Sequence, residues 1–476
     1  MNWDASLIST IYFFIEWAIR IGALFIVPLR RPPTAATAWL VLIFFLPLFG
    51  LALYLFVGRP RVSLQRAEKI MTLADTLKPN TDRILKARLQ DRAPLPARFA
   101  SLEQLAAHWR VFPVFAGNHA ELIREPQAFI DMLVEDIDQA RDHVHMTFYI
   151  AARDHLTEPV FRALIRAAKR GVAVRLLVDD FGSKHFIKRL TPLTQEGIEL
   201  ARAFPRSKVP SRSARFDLRN HRKLIVIDGV TGYSGSMNLI APTFKPGVVY
   251  EDLMMRLSGP VVLELQTIFV GDWFVETHEL LEGPVYFPEP VAAGDESCIS
   301  LPSGPEYPEP VLQRLLLAMI YASHEAITIV TPYFVPDEPT LDALKVAANR
   351  GVNCQLIVSE KLDQRLVQRA QESYYAELLE AGVRIYRHPS RLLHSKITLC
   401  DHQISLVGSA NLDVRSSLIN AELGLLFYSP KTATNLNYLV AEYRSKSIEL
   451  SAAQWAQRPK WRTLSQNIAR LTSPLL

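Results

Sequence analysis

LLHSKITLCDHQISLVGSANLDVRS (Leu392–Ser416) places a histidine, a lysine and an aspartate in a segment whose remaining residues read as two short apolar strands. His394 and Lys396 are two residues apart, so on a strand they project to the same face, and Asp401 falls at the turn between the strands. Burying a lysine without a partner is costly. The segment is therefore expected to face an anion.

The same pattern occurs 173 residues earlier, where HRKLIVIDGVTGYSGSMN (His221–Asn238) matches HSKITLCDHQISLVGSAN (His394–Asn411). A second repeat, 180 residues apart, relates VFRALIRAAKRGVAVRLLVDD (Val160–Asp180) to TLDALKVAANRGVNCQLIVSE (Thr340–Glu360). Each copy of the second repeat reads as an amphipathic helix, a glycine stop and an apolar strand, and an apolar strand precedes it. The sequence predicts two α/β lobes built on β-α-β units with parallel strands.

The chain has 476 residues, which suggests two or three compact units. Two apolar runs near the N-terminus are each about long enough to cross a bilayer as a helix. Buried core helices are the alternative, but an uncharged run of this length is unusual in a soluble fold. The predicted organisation is a transmembrane hairpin at 1–60 with spans near 7–27 and 38–57, a helical linker at 61–110, and lobes at 111–290 and 291–476.

Charges near these runs refine the membrane prediction. Glu16 and Arg20 are four residues apart in the first run, so they can pair on one helical face and lower the cost of lying in lipid. The basic residues that follow the second run outnumber those of the loop between the runs, which favours a cytoplasmic body under the positive-inside rule.

Composition and motifs exclude several function classes. The three cysteines give neither a disulfide framework nor a metal-binding spacing, and a lysine beside each motif histidine would repel a metal cation. The sequence contains no phosphate-binding or dinucleotide-binding glycine motif, so nothing argues for ATP or NAD. No metal or other cofactor is predicted. The net charge of +5 suits anionic partners, either lipid or nucleic acid.

A lone histidine on an apolar strand is more often a core residue than a catalyst. Two copies with the same lysine, aspartate and Gly-Ser-x-Asn complement make that reading untenable. If the lobes pack face to face, the two sets form one pocket for a tetrahedral phosphate. One neutral imidazole can attack phosphorus and the other, protonated, can serve the leaving alkoxide. Four side chains are expected to hold the phosphate oxygens and two hydroxyls to add donors: Lys223, Lys396, Asn238 and Asn411, then Ser236 and Ser409.

The paired H-x-K-x-x-x-x-D-x-x-x-x-x-x-G-S-x-N elements resemble those of the phospholipase D superfamily. Over nearly the whole chain, RRPPTAATAWLVLIFFLPLFGLALYLFVGRPR, TPYFVPDE and the C-terminal segment resemble bacterial cardiolipin synthases with two N-terminal membrane spans. The resemblance implies two pseudo-symmetric lobes, each an α-β-α sandwich. It further implies that the protein is located in the bacterial inner membrane. It also implies phosphatidyl transfer between two phosphatidylglycerol molecules, giving cardiolipin and glycerol through a phosphohistidine. His221 would be the nucleophile and His394 the acid.

The resemblance also implies supporting residues. An acidic residue downstream of each Gly-Ser-x-Asn would orient a histidine, and the candidates are Glu251, Asp252 and Glu422. Asp228 and Asp401 are grouped with the catalytic residues, with turn capping as an equal alternative. A basic loop carrying Lys208, Arg212 and Arg215 would grip lipid headgroups or else be solvated. Tyr149, Tyr333 and Phe334 would be core residues or pocket wall.

Alternatives remain within and beyond this class. A hydrolase using water, a phosphatidyltransferase with another alcohol acceptor and a membrane-tethered nuclease would share the motifs. A nuclease is disfavoured because no basic run is interleaved with aromatic residues, so no nucleic-acid partner is expected. A non-catalytic membrane scaffold is disfavoured because both motif copies are intact. Phosphatidylglycerol and anionic lipids are the expected partners, and the sequence does not indicate an oligomeric state.

Overall fold

A computed structural model describes residues 5–31, 33–58, 97–109, 112–205, 217–307 and 309–473. These residues form two compact units, a smaller one with the N-terminal helices and a larger one with the sheet. The predicted basic loop around Lys208, Arg212 and Arg215 lies outside the described residues, as does most of the predicted linker. The described part of that linker holds a 3₁₀ turn (Ala97–Phe99) and helix α4 (Ala100–His108).

The N-terminal unit contains α1 (Ala5–Arg30), α2 (Pro33–Phe45) and α3 (Pro47–Val57). Among the described residues one helix, Ser9–Arg30, is long and apolar enough to cross a membrane. The predicted pair is confirmed, because Arg20 Nη2 lies 3.1 Å from Glu16 Oε2. The second predicted span is not one continuous helix. It divides at Leu46 because Pro47 has no N–H group to donate and disfavours helical geometry in the residue before it.

The larger unit is built on one sheet of fifteen strands. The first lobe comprises β1 (Phe115–Ile123), α5 (Pro126–Gln139), β2 (His143–Phe148), α6 (Glu158–Lys169), β3 (Ala173–Asp179), α7 (Ile187–Leu190), a 3₁₀ helix (Thr191–Glu196), β4 (Ile198–Ala203), β5 (Leu224–Ile227), β6 (Thr231–Gly235), β7 (Tyr250–Glu251), β8 (Met254–Ser258) and α8 (Val261–Thr277).

The second lobe follows, and three of its short strands together with β7 lie outside the fifteen-stranded sheet. It comprises β9 (Glu296–Ser303), α9 (Val311–Ala322), β10 (Ala326–Val330), β11 (Phe334–Val335), α10 (Glu338–Asn349), β12 (Asn353–Ser359), α11 (Arg365–Ser373), α12 (Tyr375–Glu380), β13 (Arg384–His388), β14 (Leu392–Leu393), β15 (Ile397–Cys400), β16 (Ile404–Gly408), β17 (Leu412–Asp413), α13 (Val414–Leu418), β18 (Glu422–Phe427), α14 (Pro430–Ser445), β19 (Ile448–Glu449), α15 (Ala452–Ala456) and α16 (Lys460–Arg470).

Both predicted β-α-β units are confirmed. In the first lobe β2 and β3 pair in parallel, and α6 connects them along the chain. In the second lobe β10 and β12 pair in parallel, and α10 lies in the connection between them. The apolar faces of these helices and strands are buried in two hydrophobic cores, one in each lobe. β4 also pairs in parallel with β3, and β13 with β12. The strands from β5 and β15 toward the junction of the lobes pair antiparallel, so each half-sheet is mixed.

The lobes join side by side, whereas a single pocket was predicted on the condition that they pack face to face. The strands follow the order β19-β13-β12-β10-β15-β16-β18-β9-β1-β8-β6-β5-β2-β3-β4. β1 and β9 pair antiparallel at the centre of this order, so the two half-sheets are continuous. Two further pairings join the lobes, β14 with β7 and Asn220 with Ala421. The lobe boundary at 290/291 stays a proposal; in the structure it falls between α8 and β9.

Candidate active site

The motif histidines and lysines lie immediately before β5 and β15. β5 runs antiparallel to β2, and β15 runs antiparallel to β10, so both motifs begin at the carboxyl edge of the parallel strands. In each motif the lysine folds back toward its own histidine. Lys223 Nζ donates to the carbonyl oxygen of His221 at 2.7 Å, and Lys396 Nζ donates to that of His394 at 2.6 Å.

Each motif histidine is held by a carboxylate of the opposite lobe. His221 Nδ1 lies 2.9 Å from Glu422 Oε2, and His394 Nδ1 lies 2.6 Å from Asp252 Oδ1. An ionised carboxylate can only accept a hydrogen bond, so the proton of each neutral imidazole stands on Nδ1. Nε2 of each histidine is then left with a lone pair.

Backbone pairing between the lobes fixes these contacts. β14, just before His394, pairs in parallel with β7, just before Asp252. The corresponding bridge joins Asn220 to Ala421, the residues that precede His221 and Glu422. Every histidine-bearing segment is thus registered against the acid-bearing segment of the other lobe, and a one-residue slip would turn the side chains to opposite faces. Glu251 contacts the second motif through its main chain, because its carbonyl oxygen accepts from the His394 N–H at 2.8 Å.

Burial sets the charge states in the cleft. It lowers the pKa of His221 to about 4 despite the nearby Glu422, and it also lowers the pKa of His394 despite Asp252. Burial alone would raise the pKa of both carboxyls, but the facing histidines and lysines lower each below its ordinary value. The free site therefore pairs ionised carboxylates with neutral imidazoles near neutral pH.

Two buried lysines give the cleft its positive charge. Burial and the charge of Lys396 lower the pKa of Lys223 to about 7, and burial lowers the pKa of Lys396 to about 8. Both ammonium groups are almost completely buried. A bound phosphate diester would restore the charged form of both, because an opposite charge nearby favours the ammonium over the amine.

The motif serines hydrogen-bond to the segments that carry the acidic residues. Ser409 Oγ donates to Glu422 Oε2 at 2.5 Å and accepts from the Leu423 N–H at 2.9 Å. Ser236 Oγ accepts from the Leu253 N–H at 2.9 Å and donates to the Leu253 carbonyl oxygen at 3.2 Å. The predicted contact of both hydroxyls with phosphate stays a prediction.

The motif asparagines occupy different environments. Asn238 Oδ1 accepts from the Ile150 N–H at 3.1 Å, which leaves its amide NH₂ group as the part able to donate to a ligand. Asn411 Oδ1 is buried and has no hydrogen-bond partner among the described residues. Their predicted contact with phosphate oxygens stays a prediction.

Grouping Asp228 and Asp401 with the reacting residues is corrected by the structure. Asp228 accepts from the backbone N–H groups of residues 141–143, and Asp401 accepts from those of residues 324–326. Each lies at the far end of its strand, about 16 Å along the chain from the motif lysine at roughly 3.3 Å per residue. Both therefore cap the turns that lead into β2 and β10.

Asp228→Asn is expected to lower stability and leave chemistry intact. An amide lacks the second acceptor oxygen and the charge that binds three N–H groups, so about 2–4 kcal/mol of unfolding free energy should be lost. The measurement is denaturant unfolding together with turnover at low temperature. Wild-type stability with a hundredfold lower kcat would contradict this structural role.

A buried polar network that the sequence did not reveal lies behind the first motif. Arg222, between the motif histidine and lysine, points to the opposite side and contacts Asp272 and Glu306, while its Nε donates to the Glu422 carbonyl oxygen at 3.1 Å. The pKa of Arg222 is raised by these carboxylates against the effect of burial. This network ties the first motif to the strand that carries Glu422, and only the unusual arginine inside an apolar segment hinted at it.

Aromatic rings flank both histidines. Tyr149 makes an edge contact with His221 at 4.9 Å between centroids, and Tyr250 makes one with His394 at 5.4 Å. Asp363 accepts from Tyr250 and from Tyr333, at 3.1 and 2.7 Å, and it pairs with Lys245. Tyr149 and Tyr333 thus belong to the cleft wall, whereas Phe334 is a core residue. Tyr250, Lys245 and Asp363 were not found from the sequence.

A cavity opens beside each motif asparagine. The one in the second lobe runs from Lys396 and Asn411 to apolar side chains of α9 and measures about 670 Å³ with the solvent-open space at its mouth included. The one in the first lobe lies between Asn238, Asp252 and α5 and measures about 440 Å³ on the same basis. Among the described residues, no three His, Cys, Asp or Glu side chains are grouped as metal ligands would be.

Comparison with known proteins agrees with this arrangement. A family model described as cardiolipin synthase, PLD-like domain, matches residues 133–273 and 316–442, and one described as phospholipase D-nuclease N-terminal matches residues 18–59. Cardiolipin synthase A of Serratia proteamaculans is 34% identical over 489 aligned positions, covering 98% of this chain and all of the relative. Cardiolipin synthase A of Pectobacterium carotovorum is 36% identical with the same coverage.

Solved structures share the fold. Phosphatidylserine synthase from Haemophilus influenzae superposes with a TM-score of 0.61 at 14% identity, covering 79% of this chain and all of that one. Polyphosphate kinase from Porphyromonas gingivalis superposes with a TM-score of 0.50 at 15% identity, covering 70% of this chain and 49% of that one.

The two-lobed sheet and its paired motifs are those of a phospholipase D-like enzyme. With whole-length relatives above 30% identity and both repeats matched by the family model, the chain belongs to the cardiolipin synthase family. Enzymes of this class transfer phosphatidyl groups, and the apolar N-terminal helix is consistent with a membrane anchor.

Proposed function

We propose that this enzyme transfers a phosphatidyl group from one phosphatidylglycerol to another, forming cardiolipin and glycerol through a phosphohistidine. One observation carries the proposal: two buried histidines in a single cleft, each with Nδ1 held by a carboxylate of the opposite lobe and each beside a buried lysine. This arrangement provides a nucleophile, a proton carrier and fixed positive charge for a phosphate diester.

In the first step, the Nε2 lone pair of His221 attacks phosphorus and the bond from phosphorus to the glycerol oxygen breaks. Protonated His394 gives its proton to the departing alkoxide, so glycerol leaves and the phosphatidyl group stays on His221. The order of roles is supported by the pKa of His221, which burial lowers to about 4 and which therefore keeps this imidazole neutral. The negative charge of a bound diester favours protonation of His394.

In the second step, a hydroxyl of another phosphatidylglycerol enters the place that glycerol left. His394, now neutral, takes the proton of this hydroxyl while its oxygen attacks phosphorus and the nitrogen–phosphorus bond breaks. The products are cardiolipin, neutral His221 and protonated His394, which is the starting state. Asp252 and Glu422 are positioning residues because they contact the histidines and not the reacting atoms.

The value of kcat/KM is expected to follow a bell-shaped pH profile. Activity should rise as His221 deprotonates above pH 4 and fall as His394 loses the proton that the leaving alkoxide needs, since kcat/KM reports the free enzyme, in which burial lowers the pKa of His394. Lys223→Met should lower kcat/KM about a hundredfold through lost transition-state charge. It should also move the falling limb to higher pH, because the charge of Lys223 lowers the pKa of His394. An unmoved falling limb would contradict the assignment.

We further propose a multi-pass location in the bacterial inner membrane with the catalytic body in the cytoplasm. It is supported by the apolar helix Ser9–Arg30 and by the basic residues after the second apolar run. The predicted division into a hairpin at 1–60, a linker at 61–110 and two lobes is kept as part of this proposal.

The test of the reaction is incubation of purified protein with phosphatidylglycerol vesicles, without nucleotide, followed by identification of the products. Cardiolipin and glycerol in equal amounts are expected. Phosphatidic acid with glycerol would identify a hydrolase. A mixed diester formed only with added alcohol would identify a transferase with another acceptor. Absence of turnover would favour a non-catalytic membrane scaffold.

A further inference from the structure

The last helix of the described chain, α16, has one buried face and one unpartnered apolar face. Its inner side packs on α11 and α12: Gln466 Nε2 donates to Glu372 Oε2 at 2.7 Å, and Arg470 Nη1 donates to Glu377 Oε1 at 2.7 Å. Four large apolar side chains recur on the other side at helical spacing. They are Trp461, Leu464, Ile468 and Leu471, with 67%, 62%, 57% and 80% of their surface exposed.

The charges beside this apolar face that have no carboxylate partner among the described residues are positive. From Leu450 to the end of the chain the sequence has no aspartate or glutamate. Of its four basic residues, Arg462 and Arg470 pair with carboxylates of α11 and α12, which leaves Arg458 and Lys460. Lys460 is exposed next to Trp461. The helix α11, against which α16 packs, also exposes Leu366 and two arginines, Arg365 and Arg369.

We infer that this face of α16 docks on an anionic lipid bilayer. A helix with a tryptophan and leucine-type side chains on one face, and lysine or arginine beside them, lies in the bilayer interface with its apolar face in the acyl boundary. A lipid surface also fits the charge, because anionic headgroups would neutralise the cations that surround the apolar face. A water-soluble monomer rarely leaves such a patch uncovered.

The position of α16 would let docking deliver lipid substrate to the cleft. This part of the inference rests on the proposed function. Gln371 of α11 accepts from the Phe334 N–H at 2.8 Å, next to Tyr333, whose hydroxyl binds Asp363. Asp363 also accepts from Tyr250, the ring beside His394. The helix pair therefore stands at the cleft edge of the second lobe. A bilayer under α16 would bring lipid to that edge.

The first test measures contact with acyl chains in the full-length protein reconstituted in vesicles of phosphatidylglycerol and phosphatidylcholine. Leu464→Cys provides a labelling site, since the native cysteines Cys298, Cys354 and Cys400 are buried. A fluorophore at position 464 should be quenched by lipids brominated on the acyl chain. The matched control is Val230→Cys, exposed in the first lobe in the turn between β5 and β6, where no quenching is expected.

The second test separates docking from catalysis. The double variant Leu464→Glu/Ile468→Glu should lose about tenfold in activity on the mixed vesicles, by weaker interfacial binding, and keep wild-type activity on phosphatidylglycerol dispersed in detergent micelles. The inference would be overturned if the label at position 464 were not quenched by the brominated lipids. A label that is shielded from water but not quenched would indicate a protein partner instead of a bilayer. Equal losses of activity in vesicles and in micelles would also overturn it. If the parent protein makes no cardiolipin, the proposed function fails while the quenching still decides the docking.

Discussion

Replacing His221 by alanine is expected to lower the rate of cardiolipin formation at least about 10⁴-fold, to the detection limit, and replacing His394 should have a similar effect. The two losses have different causes. Without His221 no imidazole attacks phosphorus, and without His394 the glycerol alkoxide leaves unprotonated. Because the residues act as one unit, the double variant should be no slower than the worse single variant.

The matched control is His402→Asn, which removes an exposed histidine from the hairpin turn of the second motif. His402 has a positive φ of 56°, a conformation that asparagine tolerates well. Turnover should equal that of the wild type. Retention of a tenth or more of the activity by either alanine variant, with a wild-type unfolding curve, would exclude the two-histidine mechanism.

Glu422→Gln and Asp252→Asn are expected to lower kcat by about 10²–10⁴-fold with little change in KM. Each substitution keeps the size of the side chain but removes the charge that holds the Nδ1 proton of a histidine in the other lobe. The imidazole can then rotate or carry its proton on Nε2, where a lone pair is needed. Steady-state kinetics on micellar phosphatidylglycerol measures both constants.

Glu251→Gln is the control for this pair of variants, because Glu251 precedes Asp252 yet contacts the second motif through its backbone carbonyl oxygen. Its kcat should stay within about threefold of the wild type, as expected for surface changes away from the reacting groups. A Glu251→Gln variant as slow as Asp252→Asn would mean that the Glu251 side chain also acts on the second motif.

The two sequence repeats made the β-α-β units and the location of the site predictable. Each β-α-β unit keeps the helical and strand periodicity of its apolar residues, and two copies of the His-x-Lys pattern identify the site. Local pattern does not determine how the lobes join. The central β1–β9 pair forms between residues far apart in sequence, so side-by-side packing could not be distinguished from face-to-face packing before the structure was known.

The roles of individual residues within the motifs likewise depend on contacts between residues far apart in sequence. Glu422, Asp252 and Glu251 were all candidates for orienting a histidine, but only the register of β14 against β7 shows that Asp252 reaches His394. Asp228 and Asp401 share the periodic spacing of the motif yet point to backbone N–H groups at the opposite end of the strand. Spacing along a strand gives the face and not the distance to the reacting groups.

The second apolar run shows the effect of a single residue. Its composition favours one span from 38 to 57, but Pro47 divides it into α2 and α3, with 13 and 11 residues. The pairing of Glu16 with Arg20 in the first run needed only the helical spacing of four, and it was predicted correctly.

The central claim is that His221 carries the phosphatidyl group, and the most direct measurement traps that intermediate. His394→Ala is mixed with a phosphatidyl diester of p-nitrophenol, whose leaving group needs no general acid, and the reaction is stopped in base because phosphohistidine is labile in acid. The account predicts a burst of about one equivalent of p-nitrophenolate per site, with the adduct mapped by mass spectrometry to His221. Absence of the burst in His394→Ala, or the same burst in His221→Ala, would contradict it.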